Sequence, residues 1–328
     1  MKKIITLLAI CSLVSTAFSC GKETLVESYE VDLSDIKLNS SDVLVEYTTA
    51  KVFGDIRVDH NPARITEVRV CYGTASDDLS KNVKAAYDTE NGYSADIPSL
   101  EDGTQYFYRV DIMVGRTPIE GKVQDFITFP MGPVDLDLPS GNKWMSHNVG
   151  AKTPTESGGY YAWAELTEKK QYDWSSYKYC NGSYNKLTKY TFKTNYSYDG
   201  TLDNMVELQA EDDVATQLLG EHYSVPSYKD WQELMDNCVL TKATINGRMG
   251  YKVSSKVDMN NNKKFIFLSG ENGYYDGTSR HAGASYYWSA TLKTTQNDVV
   301  LNIRVGSLGL QNDHGSRCFG ETVRAVYK

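Results

Sequence analysis

Between residues 43 and 129 apolar and polar residues alternate in short runs. VLVEYTTA (43–50), ITEVRVCYG (65–73), YFYRVDIMV (106–114) and VQDFITF (123–129) keep the period of two that lays one face of a strand on a core, with Gly, Asp and Asn in the turns between them. Strands this short, spaced this regularly, predict an all-β sandwich. The pattern breaks at FPMGPVDLDLPSG (129–141), where three prolines and two glycines mark a boundary.

Beyond that boundary the period changes. In VPSYKDWQELMDNC (225–238), Trp231, Leu234, Met235 and Cys238 recur at spacings of three and four, one buried face of a helix. Ser227 is placed to cap it, and Asp230 holds the capping-box position. Asp212 and Asp213 open a preceding helix, where carboxylates favour the positive end of the helix dipole. Residues 299–305 return to alternation, with Val299, Leu301, Ile303 and Val305 on one face and Asn302 and Arg304 on the other. The chain then closes through RCFGETVRAVY (317–327), with Val323, Ala325 and Val326 on a last short strand.

The start of the chain has a different logic. Lys2 and Lys3 precede an apolar run over 4–18, followed by Ser19 and Cys20, the order of a secretory signal. The run is shorter than the roughly 20 residues a membrane-spanning helix needs. Residues 1–19 therefore read as a lipoprotein signal peptide and Cys20 as the lipidation site. Acyl chains there, at about 0.8 kcal/mol per buried CH₂, would hold the protein on a membrane.

Composition narrows the partners. A formal charge of −8 argues against a nucleic-acid partner, whose phosphates need lysine and arginine clusters. Tyrosine is abundant, at 24 residues, and suits both β-proteins and contact surfaces. Cys71, Cys180, Cys238 and Cys318 allow three disulfide pairings, or four free thiols. They form no CxxC spacing, and no nucleophile, base or metal cluster stands out, so neither an enzyme nor a cofactor nor a metal is expected. Asp55, Arg57, Asp59, His60 and Arg64 read as a solvated loop of mixed charge.

Several ordered blocks carry a resemblance. SLEDGTQYFYRV (99–110) resembles the corner of a fibronectin type III domain, which would bond the Tyr106 hydroxyl back to nearby backbone. VDLDLPSGNKWMSHNVGA (134–151), GGYYAWAE (158–165), EDDVATQLLGEHYSVPSYKDWQEL (211–234), YYWSAT (286–291) and the closing RCFGETVRAVY resemble the Fibrobacter succinogenes major paralogous domain, a C-type-lectin-like fold of Bacteroidetes surface lipoproteins. The resemblance implies an α+β class: a fibronectin type III-like sandwich over 20–131, then a C-type-lectin-like α+β domain over 132–328. It departs from the usual pattern around Pro226, where Ser224, Val225 and Ser227 stand. The related oxidase enzymes need a reactive cysteine pair or metal that these blocks lack, and the calcium motifs of sugar-binding lectins are not evident.

In that fold the side chains between the WS strand and the terminal strand sit on a rigid scaffold. Trp288, Thr291, Asn302, Arg304, Asn312, Asp313 and His314 are the expected contact patch for a glycan or protein at the cell surface. Arg317 and Arg324 are expected to brace the closing strands. The alternatives are a structural or accessory subunit of a surface appendage, or a receptor of the retroelement-diversified type, with variable contacts in the same region.

Overall fold

The computed structural model describes residues 36–38, 41–58 and 65–328. The leader over 1–19, the lipidation site Cys20, and Asp59, His60 and Arg64 lie outside the described residues.

The N-terminal unit is all β. Its strands are β1 (Ile36–Leu38), β2 (Asp42–Val45), β3 (Ala50–Gly54), β4 (Ile56–Val58), β5 (Ile65–Gly73), β6 (Lys81–Lys84), β7 (Ala86–Asp88), β8 (Gly92–Ile97), β9 (Gln105–Val114), β10 (Thr117–Glu120) and β11 (Gln124–Ile127). One sheet runs β2-β3-β8-β7 and the other β10-β9-β5-β6, with β11 also on β9. The two sheets make a β-sandwich. The expected strand over 43–50 is two strands, because the Glu46 N–H donates to the Thr49 carbonyl and closes a hairpin. The Tyr106 corner is present: the Glu101 N–H donates to the Tyr106 hydroxyl at 2.9 Å. Between the sheets, Val52, Val68, Val70, Ile97, Tyr106, Tyr108 and Ile112 are buried.

The second unit corrects the expected α+β, C-type-lectin-like class. Over the whole structure strand outweighs helix, 45% against 8%, and the α-helices among the described residues are α1 (Val214–Leu219) and α2 (Tyr228–Asn237), of six and ten residues. Gly220, at φ +106°, stops α1 after less than two turns. From Tyr160 to Gln209 the chain is irregular apart from one short 3₁₀ turn and isolated bridges, held by aromatic packing rather than by helix. The capping of α2 matches expectation: Ser227 and Asp230 form the reciprocal capping box. Asp213, rather than Asp212, caps α1, accepting from the N–H groups of Ala215 and Thr216.

Strands fill the rest. β12 (Pro133–Val134), β13 (Lys143–Met145), β14 (Tyr223–Ser224) and β23 (Val326–Tyr327) make one small sheet, ordered β12-β13-β23-β14. β15 (Cys238–Ile245), β16 (Arg248–Ser255) and β17 (Phe265–Ser269) make a meander, and β18 (Tyr274–Asp276) pairs with β19 (Ser279–His281). A second meander holds β20 (Ser285–Leu292), β21 (Val299–Gly306) and β22 (Gly309–Ser316). Trp231 and Leu234 of α2 pack with Val253, Ile266, Leu268, Tyr287 and Ile303. Arg317 and Arg324 are both buried in the bracing positions expected of them.

The two units share a core. Phe265 and Phe267 of β17 lie within the N-terminal cluster, with the Phe265 ring 5.7 Å from that of Phe129. Asn246, in the β15–β16 turn, bonds both the N–H and the carbonyl of Val45, at 2.8 and 2.7 Å. Val45 lies on the edge strand β2, so this amide pairs backbone groups that a sheet edge leaves open. His147 meets the Tyr47 hydroxyl at 2.8 Å, and burial with Arg324 nearby lowers its pKa to about 4, keeping the ring neutral. Among the described residues Cys71, Cys180, Cys238 and Cys318 are free thiols. Burial pushes Cys238 and Cys318 up to about 12 each.

Because the core is continuous, denaturant is expected to unfold both units in one transition. Asn246→Ala should lower stability by about 1–3 kcal/mol, through two unmatched backbone groups. Urea melts followed by tryptophan fluorescence and by far-UV circular dichroism check this; two separated transitions would contradict it.

Candidate functional site

The site grows from the β20–β22 meander. Register places Trp288, Asn302 and Asp313 in one row across the three strands, and Tyr286, Arg304 and Gln311 in the next. Trp288 is buried and its indole N–H donates to the Tyr161 carbonyl at 2.7 Å. Behind the row runs the closing segment, and Glu321 enters from it, 1% exposed. The Asn302 amide donates to both Glu321 oxygens, each at 2.8 Å, while Asn302 Oδ1 has no partner. Gly315 makes room for the pair: a Cβ there would fall 2.5 Å from Glu321 Oε1 and 3.1 Å from Asn302 Nδ2.

A cavity of about 160 Å³ opens over this couple, lined by Tyr274, Tyr286, Asp313, His314, Gly315, Phe319 and Glu321. That is below the ~300–1,000 Å³ of sites for drug-sized ligands and suits a single ring or side-chain head. Tyr274 is the hub of the aromatic wall. Its ring lies 4.9 Å from Tyr286, 5.4 Å from Phe319 and, stacked, 4.8 Å from His281. Burial pushes the Tyr274 hydroxyl above its ordinary range, reinforced by Tyr286, Asp276, Glu321 and Asp313. Burial also raises Glu321 well above the carboxylate range; the Asn302 bonds oppose this and Asp313 adds to it.

Of the seven expected contact residues, the structure brings only some together. Asp313 and His314 border the cavity. Asn302 lies beneath it, fully buried rather than facing solvent, because both faces of β21 are covered. Trp288 is core. Thr291 turns elsewhere, its hydroxyl donating to the Glu207 carboxylate and accepting from the Tyr228 N–H that opens α2. Arg304 is half-buried and donates to Gln311 at 3.0 Å. Asn312 is exposed and pairs with Ile303, on the opposite pleat from Asn302. Tyr274, Tyr286, Phe319 and Glu321 were not singled out from the sequence. The signal for Glu321 was a lone carboxylate in the closing segment 317–327, between Arg317 and Arg324.

A second cluster is electrostatically closed. Burial pushes Asp212 up, but Lys189 at 2.6 Å and the hydroxyls of Tyr179 and Tyr190 hold it below its usual range. Its charge is met within the protein. Among the described residues no group of three or more His, Cys, Asp and Glu is placed to hold a metal ion, and no helix is long and apolar enough to cross a membrane.

No family profile and no curated protein matches the chain. Solved structures similar to part of it are β-sandwiches. A stretch of 28% of the chain is similar to the FN1–FN3 domains of chicken CNTN1, at 17% identity and a TM-score of 0.23, spanning 30% of that chain. A computationally redesigned β-sandwich protein is similar over 28% of this chain and 92% of its own, at 22% identity and a TM-score of 0.23. The sensor domain of the anti-sigma factor RsgI4 of Pseudobacteroides cellulosolvens is similar over 30% of this chain and 97% of its own, at 18% identity and a TM-score of 0.23.

Glu321 gives a pH dependence with a definite sign. A carboxyl whose folded pKa is raised keeps its proton in the folded state above the ordinary value of 4.5, where the unfolded chain releases it. Its stabilising contribution is therefore full at low pH and lost as pH rises. Glu321→Gln should raise stability near pH 8 by about 1 kcal/mol or more, a few degrees in Tm, and the gain should vanish near pH 4. Calorimetry of both proteins across that range checks the convergence.

Proposed function

We propose that the chain is an exported, lipid-anchored surface protein whose C-terminal unit recognises a glycan and whose N-terminal sandwich serves as its stalk. The observation that carries the reading is the aromatic and acidic cavity on the β20–β22 meander. Aromatic rings give a sugar ring a stacking face, and carboxylates accept from its hydroxyls, on strands whose rotamers are fixed by packing. The shared core supports a stalk-and-head role, since it joins the two units rigidly. Ser19 and Cys20 at the end of the apolar run over 4–18 support acylation of Cys20 and an outer-membrane address. The ordered blocks of the second unit support a relationship to the Fibrobacter succinogenes major paralogous domain.

Two measurements test this. On a glycan array, the protein should bind a defined subset of glycans, and Tyr274→Ala and Tyr286→Ala should weaken that binding at least tenfold. Asn312→Ala, on the other pleat, should leave it unchanged. Binding that survives both tyrosine variants would contradict the site, and self-association without glycan binding would favour the appendage-subunit alternative. In cells given labelled palmitate, the protein should take up label and Cys20→Ala should not; equal labelling would contradict the anchor.

A further inference from the structure

Four carboxylates among the described residues are buried: Glu165, Asp212, Asp213 and Glu321. Three have their charge met inside the protein. Glu165 pairs with Lys169 at 2.8 Å and accepts from the Lys178 N–H. Asp212 pairs with Lys189 at 2.6 Å. Asp213 accepts from three backbone N–H groups at the start of α1 and at Val225. Glu321 has the Asn302 amide alone, and it lines a cavity.

The rest of the lining points the same way. Asp313, the second carboxylate at the cavity, has no lysine or arginine partner among the described residues, only His314 at 3.8 Å. Tyr274, Tyr286 and Phe319 turn π faces or edges to the same small space. No lysine, arginine or amide donor is among the lining residues. Beneath the lining, the buried Asn302 Oδ1 has no partner. What the lining does offer is aromatic rings and two carboxyl groups with no lysine or arginine beside them. Those are the groups that hold an ammonium, by cation–π attraction and ion pairing.

We propose that the cavity takes a protonated amine, carried by an amino sugar, with its ammonium against Tyr274, Tyr286 and Phe319 and paired with Asp313 and Glu321. The inference rests on the glycan reading and names the class of sugar. Binding has a proton balance: an arriving cation favours the ionised form of Glu321, so the Glu321 proton leaves to solvent as the ammonium enters. The titratable groups facing Glu321 are Asp313 and His314 from β22, Tyr274 from β18 and Tyr286 from β20, with Tyr161 paired to its backbone. None is a fixed cation that already neutralises it.

The test is isothermal titration of the intact protein, near pH 6.5, where the glucosamine amine is already protonated, with glucosamine, glucose, N-acetylglucosamine and tetramethylammonium. Glucosamine should bind at least tenfold more tightly than glucose or N-acetylglucosamine, tetramethylammonium should compete with it, and heats in buffers of different ionisation enthalpy should show proton release. Glu321→Gln should abolish the proton release. Asp313→Asn, on a half-exposed strand position that tolerates the change, should weaken glucosamine at least fivefold with the melting temperature unchanged. Equal binding of glucose and glucosamine would overturn the ammonium site while leaving glycan recognition intact. Tetramethylammonium binding without binding of any of the three sugars would support the ammonium site and overturn its glycan source. Absence of binding by all four would overturn both.

Discussion

The second unit is organised around a buried cation. Arg324 is 1% exposed and uses all three guanidinium nitrogens: Nε to Asn148 Oδ1 at 2.8 Å, Nη1 to the Met145 carbonyl at 3.0 Å, Nη2 to the Phe267 carbonyl at 2.9 Å. Those three bonds tie the closing segment to the entry strand and to β17, the strand that also carries Phe265 and Phe267 into the N-terminal core. Burial lowers its pKa, yet a guanidinium stays charged in proteins, so its charge must be solvated by carbonyl dipoles. Removing one of them would leave a buried charge poorly met, a far larger penalty than losing a surface contact. The fold thus depends on carbonyl groups from two separate segments, 145–148 and β17, converging on one side chain.

Arg317 works similarly at the other end of the segment. It donates to the Lys189 and Tyr190 carbonyls and lies 5.5 Å over the Trp163 ring, which anchors the long irregular stretch that helices do not support. Between these two anchored arginines stands Glu321, buried as deeply but bonded only to one amide. The contrast locates the site. The other buried carboxylates meet a lysine or several backbone N–H groups, whereas Glu321, at the floor of an aromatic cavity, meets a single amide.

Alternation made the N-terminal sandwich legible, and Tyr106 even fixed its corner, because each short strand has one wet face and one dry one. The helix 228–237 was equally legible, from a capping box followed by residues at spacings of three and four. The class of the second unit was not. Its blocks suggested helices, but Gly220 cut α1 short, and the tyrosine-rich stretch over 160–209 packs without regular structure and so leaves no periodic trace. The site was half legible for the same kind of reason. Alternation in 299–305 correctly separated Asn302 and Arg304 from the apolar face, but it cannot show that a closing segment covers the other face too. That cover buries Asn302 and delivers Glu321, a partner 19 residues away along the chain.

The unmet charge of Glu321 is best tested by observing its proton directly. A carbon-13 titration of the glutamate side-chain carboxyls, with Glu321 assigned from the Glu321→Gln spectrum, should show this resonance still in its protonated position at pH values where exposed glutamates have fully ionised. A Glu321 resonance that titrates with the exposed glutamates would mean that the carboxylate is solvated or paired in the free protein, and the cavity would lose its claim to a cationic ligand.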